Sequence, residues 1–377
     1  MIISALHEPG NETRVAITPT VIKNFVKLGF EVTCEHNAGK LAGFSDQAYE
    51  QAGAAIITDR KALLKHTHVL VCVNEPTPKD IAGLQPQSLL ICPIDNETSP
   101  ELIDWCCKHQ ISVFSMNHIP RISRAQNIDS LSSQANLAGY RAVIEAVAHY
   151  NRAIPMMMTA AGMIQPAKVL ILGAGVAGLQ AIATAKRLGA VVYAFDVRAA
   201  AKEQVESLGA EFIEVIQGHD SETAGGYAKE VSEEYRQQQA ELIDQYACIA
   251  DLVICTALIP GKKAPILLTK KTVDKMKPGA VIVDLATSRG GNCELSVRDK
   301  IAHHQQITLI GYSNIAELIP ATASDLYANN INNLLQLLTA SSTQLNFNRD
   351  DEIIRQALLC HDGQHLPFQS IKEPQHD

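Results

Sequence analysis

Val169-Leu-Ile-Leu-Gly173-Ala-Gly175-Val-Ala-Gly178-Leu-Gln-Ala-Ile-Ala-Thr-Ala-Lys186 is the stretch around which the chain is organised. Its apolar start reads as a buried strand, and its Ala- and Leu-rich continuation reads as a helix. Gly-x-Gly-x-x-Gly joins the two. Gly173 suits the tight strand-to-helix turn, Gly175 lets a pyrophosphate approach the backbone, and Gly178 lets helix and strand pack closely. Ala174 and Val176 lie between them, where the helix start offers N–H groups and a positive dipole end to phosphates. A second strand, Ala190-Val-Val-Tyr-Ala-Phe195, ends at Asp196, about 20 residues past the glycines, where an acidic residue holds adenosine ribose hydroxyls. Strand, glycine turn, helix, second strand and terminal Asp together predict a dinucleotide site. Val197 and Arg198 follow Asp196 directly.

Composition narrows the class. A chain of 377 residues with 46% apolar and 19% charged side chains has room for two globular domains. The net charge of −8 and the lack of a long basic run argue against a nucleic-acid surface. Nine cysteines without Cys-x-x-Cys spacing, mostly within apolar runs, read as buried thiols, not as a disulfide framework or a zinc site. No metal site is expected. The N-terminus lacks a basic region followed by an apolar core, so no signal peptide is expected. The apolar run Pro166–Ala185 approaches membrane-spanning length, but its three turn glycines fit strand plus helix better. A soluble chain is the expectation.

Strands are predicted near residues 2–6, 31–34, 55–57, 68–73, 88–92 and 112–114, with helices after Pro19, after Ser45 and over 100–107. Thr18 reads as an N-cap with Pro19 at the first helical position. A helix over Ser130–Tyr150 is the expected crossing between domains. Further strands are predicted at 211–215, 252–255, 280–284 and 307–310. The pair Gly225-Gly226 marks a hinge, and the charged run after it an exposed helix. An amphipathic stretch, Ala323–Leu338, could return to the first domain, and the tail from His361 carries few apolar residues. Alternating strands and helices predict α/β architecture: two Rossmann-like domains with mostly parallel sheets flanking a nucleotide cleft. The first comprises 1–130 plus about 320–377, without a glycine fingerprint; the second comprises 131–319.

Two segments hold polar groups in unusual density. Pro120-Arg121-Ile-Ser-Arg124-Ala-Gln126-Asn-Ile-Asp129-Ser-Leu-Ser132 precedes the crossing helix. Helix capping by Asp129 or Ser130 accounts for part of it, but not for four hydrogen-bonding side chains together. Cys255-Thr256-Ala257-Leu258-Ile-Pro-Gly-Lys262 follows a predicted strand, and in an open α/β sheet the carboxyl ends of strands line the ligand site. An ordinary strand-to-helix turn would give the same local signal.

These segments, together with Arg14-Val-Ala-Ile-Thr-Pro19, Leu131-Ser-Ser-Gln-Ala-Asn-Leu-Ala-Gly-Tyr140, Gly173–Gly178, Thr223-Ala-Gly-Gly-Tyr-Ala-Lys229 and Gly290-Gly-Asn-Cys293, resemble the soluble NAD(H)-binding component of proton-translocating (Re/Si-specific) nicotinamide nucleotide transhydrogenase, of the alanine dehydrogenase/transhydrogenase family. The likeness runs from Arg14 to about Leu338. It implies that Arg121, Gln126 and Asp129, with Ser132 beside them, hold and orient the nicotinamide end of NAD(H). It also implies a mobile loop whose Gly225, Gly226 and Tyr227 close over nucleotide, and a homodimer. NADP(H) and the proton-moving membrane domain would come from partner subunits, because this chain has neither a second dinucleotide motif nor a spanning segment. That places it in the cytoplasm, peripheral to the inner membrane.

Alanine dehydrogenase shares the resemblance and is the rival; a non-catalytic NAD-binding module is the third reading. An amino-acid dehydrogenase needs an acid/base group near its substrate. The likeness places that family's Lys at Asn74, its His in the segment Ile91–Asp95, which has none, and its Asp at Ser288. Asn and Ser cannot supply a proton near neutral pH, and Arg14 alone is an anion clamp. Hydride passage between two nicotinamides needs no base, only fixed approach and exclusion of water. Asp196 fits NAD(H), because its carboxylate accepts ribose hydroxyls and repels a 2′-phosphate. Arg198 could soften that repulsion; a surface arginine is the simpler reading.

Overall fold

A computed structural model describes residues 1–215, 233–259, 262–339 and 344–367. The chain forms two compact units, Met1–Gln134 with Glu317–Asp377, and Ala135–Ala316.

The first unit opens with β1 (Ile2–Ala5), α1 (Pro19–Lys27), β2 (Glu31–Glu35), α2 (Asp46–Ala52), β3 (Ala55–Ile57), α3 (Arg60–His66), β4 (Val69–Val71), β5 (Leu89–Cys92), α4 (Pro100–Lys108) and β6 (Ser112–Ser115). All six strands run parallel. Alternate residues feed two separate cores: Val69, Val71, Leu89 and Ile91 one, Leu70, Leu90 and Cys92 the other. Burial on both faces is why β4 and β5 read as unbroken apolar runs, whereas β2, nearer the edge, alternates. Pro19 does open α1, but Thr18 makes no side-chain capping bond, and its hydroxyl is buried without a partner. Ser45 caps α2 by accepting the Ala48 N–H. α5 (Ser130–Ala148) carries the chain out of this unit. Its start belongs with the first unit, where Ser133 Oγ bonds Asn330 and Gln134 Nε2 donates to the Ala323 carbonyl.

The second unit contains a hairpin, β7 (Met157–Thr159) and β8 (Gly162–Ile164), and then β9 (Lys168–Leu172), α6 (Val176–Arg187), β10 (Val191–Phe195), α7 (Ala201–Ser207), β11 (Glu211–Phe212), α8 (Glu233–Ile249), β12 (Leu252–Cys255), α9 (Lys270–Val273), β13 (Val281–Asp284), β14 (Ile301–His304) and β15 (Ile307–Ile310). Its seven-stranded sheet has the order β11-β10-β9-β12-β13-β15-β14, parallel except for the pair β14–β15. Val169, Ile171, Leu252 and Ile254 pack on one face, and Leu170, Leu172, Val253 and Cys255 on the other. β11 is two residues long, shorter than the stretch 211–215 that its composition suggested. β14 and the β7–β8 hairpin went unpredicted: β14 is mostly polar, and the methionine-rich hairpin segment lacks the β-branched pattern of a strand.

The chain then returns through α10 (Pro320–Leu338), α11 (Glu352–Ala357), β16 (Leu358–His361) and β17 (Gln364–His365). Tyr327, Ile331, Leu334, Leu335 and Leu338 of α10 are buried in the first unit's core. β16 pairs antiparallel with β6 and completes an eight-stranded sheet of order β17-β16-β6-β5-β4-β1-β2-β3. All nine cysteines are free, and eight of them are buried. Among the described residues, no helix is long and apolar enough to cross a membrane, and no group of His, Cys, Asp and Glu could hold a metal ion.

Candidate nucleotide-binding site

Strand order in the second sheet reverses between β9 and β12, and the loops leaving those two strands flank a switch point of the kind where open α/β sheets bind ligands. Gly173 follows β9 with φ of 101°, a left-handed turn that a side chain would strain. A Cβ on Gly173 would lie 2.7 Å from Thr256 Oγ1 and 3.0 Å from the Ala257 nitrogen. One on Gly178 would lie 1.9 Å from the Gly173 carbonyl oxygen, so Gly178 packs α6 onto the turn itself. Gly175, the N-cap of α6, faces open space and has no side chain to cap the helix amides. Val176 starts the helix there, and Ala174 is buried behind it. A phosphate would find donors and room at this point.

Asp196 closes the other side of the turn. Its Oδ2 accepts the Ala174 N–H at 2.7 Å, and its Oδ1 accepts the Arg198 N–H at 2.9 Å. Arg198 also grips it in a fork, with Nε to Oδ1 at 2.9 Å and Nη2 to Oδ2 at 3.0 Å. Burial works against ionisation of Asp196, but the Arg198 guanidinium and the Ala174 and Arg198 amides outweigh it and hold the carboxyl below its usual range. Arg198 is exposed, as the simpler reading of the sequence had it, but it is also paired with Asp196. It neutralises the residue expected to select the nucleotide. Val197 between them is three-quarters exposed.

Across the switch point, Thr256 donates its hydroxyl to the Gly173 carbonyl at 3.0 Å. Ala257 follows it, with its backbone bonded to Asn292, and then come the exposed Leu258 and Ile259. Gly173, Ala174, Asp196, Thr256 and Ala257 are thus gathered at one end of one sheet. Gly225, Gly226, Tyr227, Pro260 and Gly261 lie outside the described residues.

The polar loop belongs to the first unit. Ala125 and Ile128 are buried and pin it, while Arg121 and Gln126 are exposed. Asp129 acts as a helix cap: Oδ1 accepts the Ser132 N–H at 2.9 Å, and Oδ2 accepts its hydroxyl at 2.5 Å. Arg124 is engaged by Asp351, at 2.6 and 3.0 Å. The Asn127 carbonyl accepts Asn330 and Asn333 of α10, each at 2.9 Å. The loop is rigidly seated, with Arg121 and Gln126 left facing outward.

Around Arg14 the first unit is closely cross-bonded. Arg14 Nε and Nη2 each donate to Glu12 at 2.8 Å, and Nη1 donates to Gln134 at 2.9 Å. Asn74, where the rival reading needs a lysine, donates to Glu12 at 2.8 Å. Glu8 accepts the Val73 and Asn74 N–H groups, and burial pushes its carboxyl up to about 7. The segment after β5 does lack a histidine, but the loop after β6 supplies one: His118 Nε2 lies 4.0 Å from Asp95 Oδ1. Burial holds His118 below its usual value. This neighbour escaped the sequence reading, because only strand pairing brings residues 95 and 118 together.

The N-terminal domain pattern of alanine dehydrogenase/PNT matches residues 6–138, and the C-terminal domain pattern matches residues 142–367. The chain belongs to the alanine dehydrogenase/PNT family. Within it, the chain is 47% identical over 363 residues, 94% of each chain, to the first part of the NAD(P) transhydrogenase alpha subunit of Rhodospirillum rubrum. Its structure is similar to that of a transhydrogenase from Sinorhizobium meliloti, with TM-score 0.84, 41% identity, and 97% of this chain and 99% of that chain covered. An L-alanine dehydrogenase structure gives TM-score 0.79 at 25% identity, with 97% of both covered. The family's two sequence domains are not its two spatial units here: 317–367 falls in the C-terminal pattern yet packs with Met1–Gln134.

Proposed function

We propose that this chain is the NAD(H)-binding subunit of a proton-translocating transhydrogenase, working with NADP(H)-binding and membrane partner subunits at the cytoplasmic face of the membrane. The observation that carries the reading is the near-complete mutual coverage, at 47% identity, with a protein named as a portion of a transhydrogenase alpha subunit. The site chemistry supports it: the first-turn amides of α6 beside the open space at Gly175 fit a pyrophosphate, and Asp196 fits a ribose diol.

When bound, NADH supplies the hydride at its nicotinamide ring, for NADP+ on the partner. The chain's own residues then have binding and orienting work only. The first-turn amides of α6 anchor phosphate, Ala174 holds Asp196 at the turn, Asp196 exchanges Arg198 for ribose hydroxyls, and Thr256, Ala257 and Leu258 wall the site. Arg121 and Gln126, held outward by a rigid loop, orient the nicotinamide; Asp129 and Ser132 fix the loop that carries them. Positioning of this kind acts on the rate of hydride passage more than on affinity. Mixed with an NADP(H)-binding partner domain, the chain should support NADPH oxidation by an NAD analogue. Gln126→Asn should slow that reaction at least ten-fold while changing the dissociation constant for NADH about two-fold or less. Normal turnover by an Arg121→Ala, Gln126→Ala double variant would overturn the assignment of the loop.

A homodimer is included in this reading. Among the described residues, the β7–β8 hairpin pairs with no other strand, and Met156, Met157, Met158, Met163 and Ile164 are exposed there, an apolar surface suited to a second copy. A second functional reading, an L-alanine-type dehydrogenase, draws on His118 beside Asp95, an imidazole that could move a proton. Reduction of NAD+ by the isolated chain with L-alanine, abolished in His118→Phe, would favour it over the transhydrogenase.

A further inference from the structure

The asparagine of the Gly290-Gly-Asn-Cys293 motif reaches the wall of the candidate nucleotide site. Gly290 and Gly291 are both left-handed, with φ of 101° and 84°, and a Cβ on Gly291 would lie 2.8 Å from Asp284 Oδ2. This double turn delivers the Asn292 and Cys293 N–H groups to Asp284 Oδ2, at 2.9 and 3.0 Å, while Oδ1 takes the Ala286 N–H at 3.0 Å. Asp284 is fully buried at the end of β13. The Asn292 carbonyl accepts the N–H groups of Leu267 and Leu268 at 2.8 and 3.0 Å. The backbone of Asn292 is therefore fixed on both sides.

Its side chain is also fully buried. Oδ1 accepts the Ala257 N–H at 3.0 Å, and Nδ2 donates to the carbonyls of Ala257 and Pro265 at 2.9 and 2.8 Å. The carboxamide thus pairs with both backbone groups of Ala257, as a neighbouring strand would, in a loop where no strand is present. Only this orientation works: the flipped amide would set N–H against N–H and oxygen against two carbonyl oxygens. Ala257 and Thr256 in turn pack directly against the Gly173 turn.

We infer that Asn292 is a positioning residue for nucleotide binding, tying Ala257 to Pro265 and so fixing Thr256 and Ala257 against the glycine turn; this rests on the NAD(H) reading above. An aspartate is the discriminating replacement, because it keeps the shape but loses both donated bonds. Its charge would face the Ala257 and Pro265 carbonyl oxygens with Asp284 nearby, while Lys263 packs against Gly290 and Arg289 precedes it. Burial, the two oxygens and Asp284 all favour the protonated form. Protonated, the acid regains one donated bond; ionised, it repels the loop.

NADH binding to the full chain, followed by fluorescence titration from pH 5.5 to 8.5, should be about ten-fold weaker in Asn292→Asp than in wild type at the alkaline end. The gap should narrow as pH falls, with the wild type flat. A purely structural role would lower the melting temperature without a pH-dependent change in affinity of the folded protein. Independently of any variant, the wild-type Ala257 amide should exchange slowly with deuterium, although it lies in a loop. Affinity within two-fold of wild type at every pH overturns the inference. If the variant does not fold, unprotected exchange at Ala257 overturns it instead. A wild-type chain that does not bind NADH overturns the nucleotide reading itself, a result distinguishable from both.

Discussion

Two carboxylates have surroundings that bear on the proposed selectivity and on the pH response. Asp196 reads in sequence as a bare carboxylate that would repel a 2′-phosphate, yet Arg198 holds it in a fork. The pair presents little net charge, so discrimination against NADP(H) should be milder than the acid alone would give. Arg198→Ala should raise the ratio of dissociation constants for NADPH and NADH by about ten-fold, and Asp196→Asn should lower it; an unchanged ratio in titrations of both variants would count against the pair. Glu8 governs a second effect. Its carboxyl rises from 4.5 to about 7 on folding, so between those values the native state binds more protons than the unfolded state. Stability then falls as pH rises through that window, by up to about 3 kcal/mol, and levels off above it. Urea denaturation at pH 5, 6, 7 and 8 should show the slope, and Glu8→Gln should flatten it.

At the scale of elements, the strand–turn–helix around Gly173 separates two glycines by what each does. Gly178 is a packing glycine: an added methyl meets the Gly173 carbonyl at 1.9 Å, and backbone cannot give way. Gly178→Ala should therefore cost about 2–3 kcal/mol of stability and lower the melting temperature by several degrees. Gly175 faces open space, so Gly175→Ala should leave melting nearly unchanged while weakening NADH binding, because the methyl stands where phosphate would approach. Equal effects of the two substitutions on melting would contradict this division. The β7–β8 hairpin makes the complementary case. Met158 and Met163 are more than half exposed; for the homodimer proposed above, the wild type should sediment as a dimer and Met158→Lys with Met163→Lys as a monomer, without loss of helix content.

For the whole molecule, what matters is that the chain leaves its first unit at Gln134 and re-enters it at Glu317. The buried face of α10 (Tyr327, Ile331, Leu334, Leu335) belongs to the first unit's core, where each large apolar side chain contributes about 1.5–3 kcal/mol. A fragment ending near residue 316 should accordingly expose that core and aggregate. A fragment covering Ala135–Ala316 retains both of its own apolar layers and should give a cooperative thermal transition. Broad, uncooperative melting of the latter would argue against the division into units.

The parallel α/β architecture was legible in the bare chain, because strands buried on both faces must be apolar throughout. The glycine turn with its acidic partner was legible too, because residues 173 to 196 are neighbours along the chain as well as in space. Local chemistry revealed the helix starts at Ser45 and Pro19 in the same way, although the cap expected at Thr18 is not made. Pairings between distant segments emerged only on folding: Asn292 with Ala257, His118 with Asp95, Arg124 with Asp351, and β16 with β6. A hydrogen bond or an antiparallel edge pair across tens or hundreds of residues leaves no period in the sequence, since its partners are chosen by sheet order. Periodicity reports which side of an element is buried; it does not report what lies against that side.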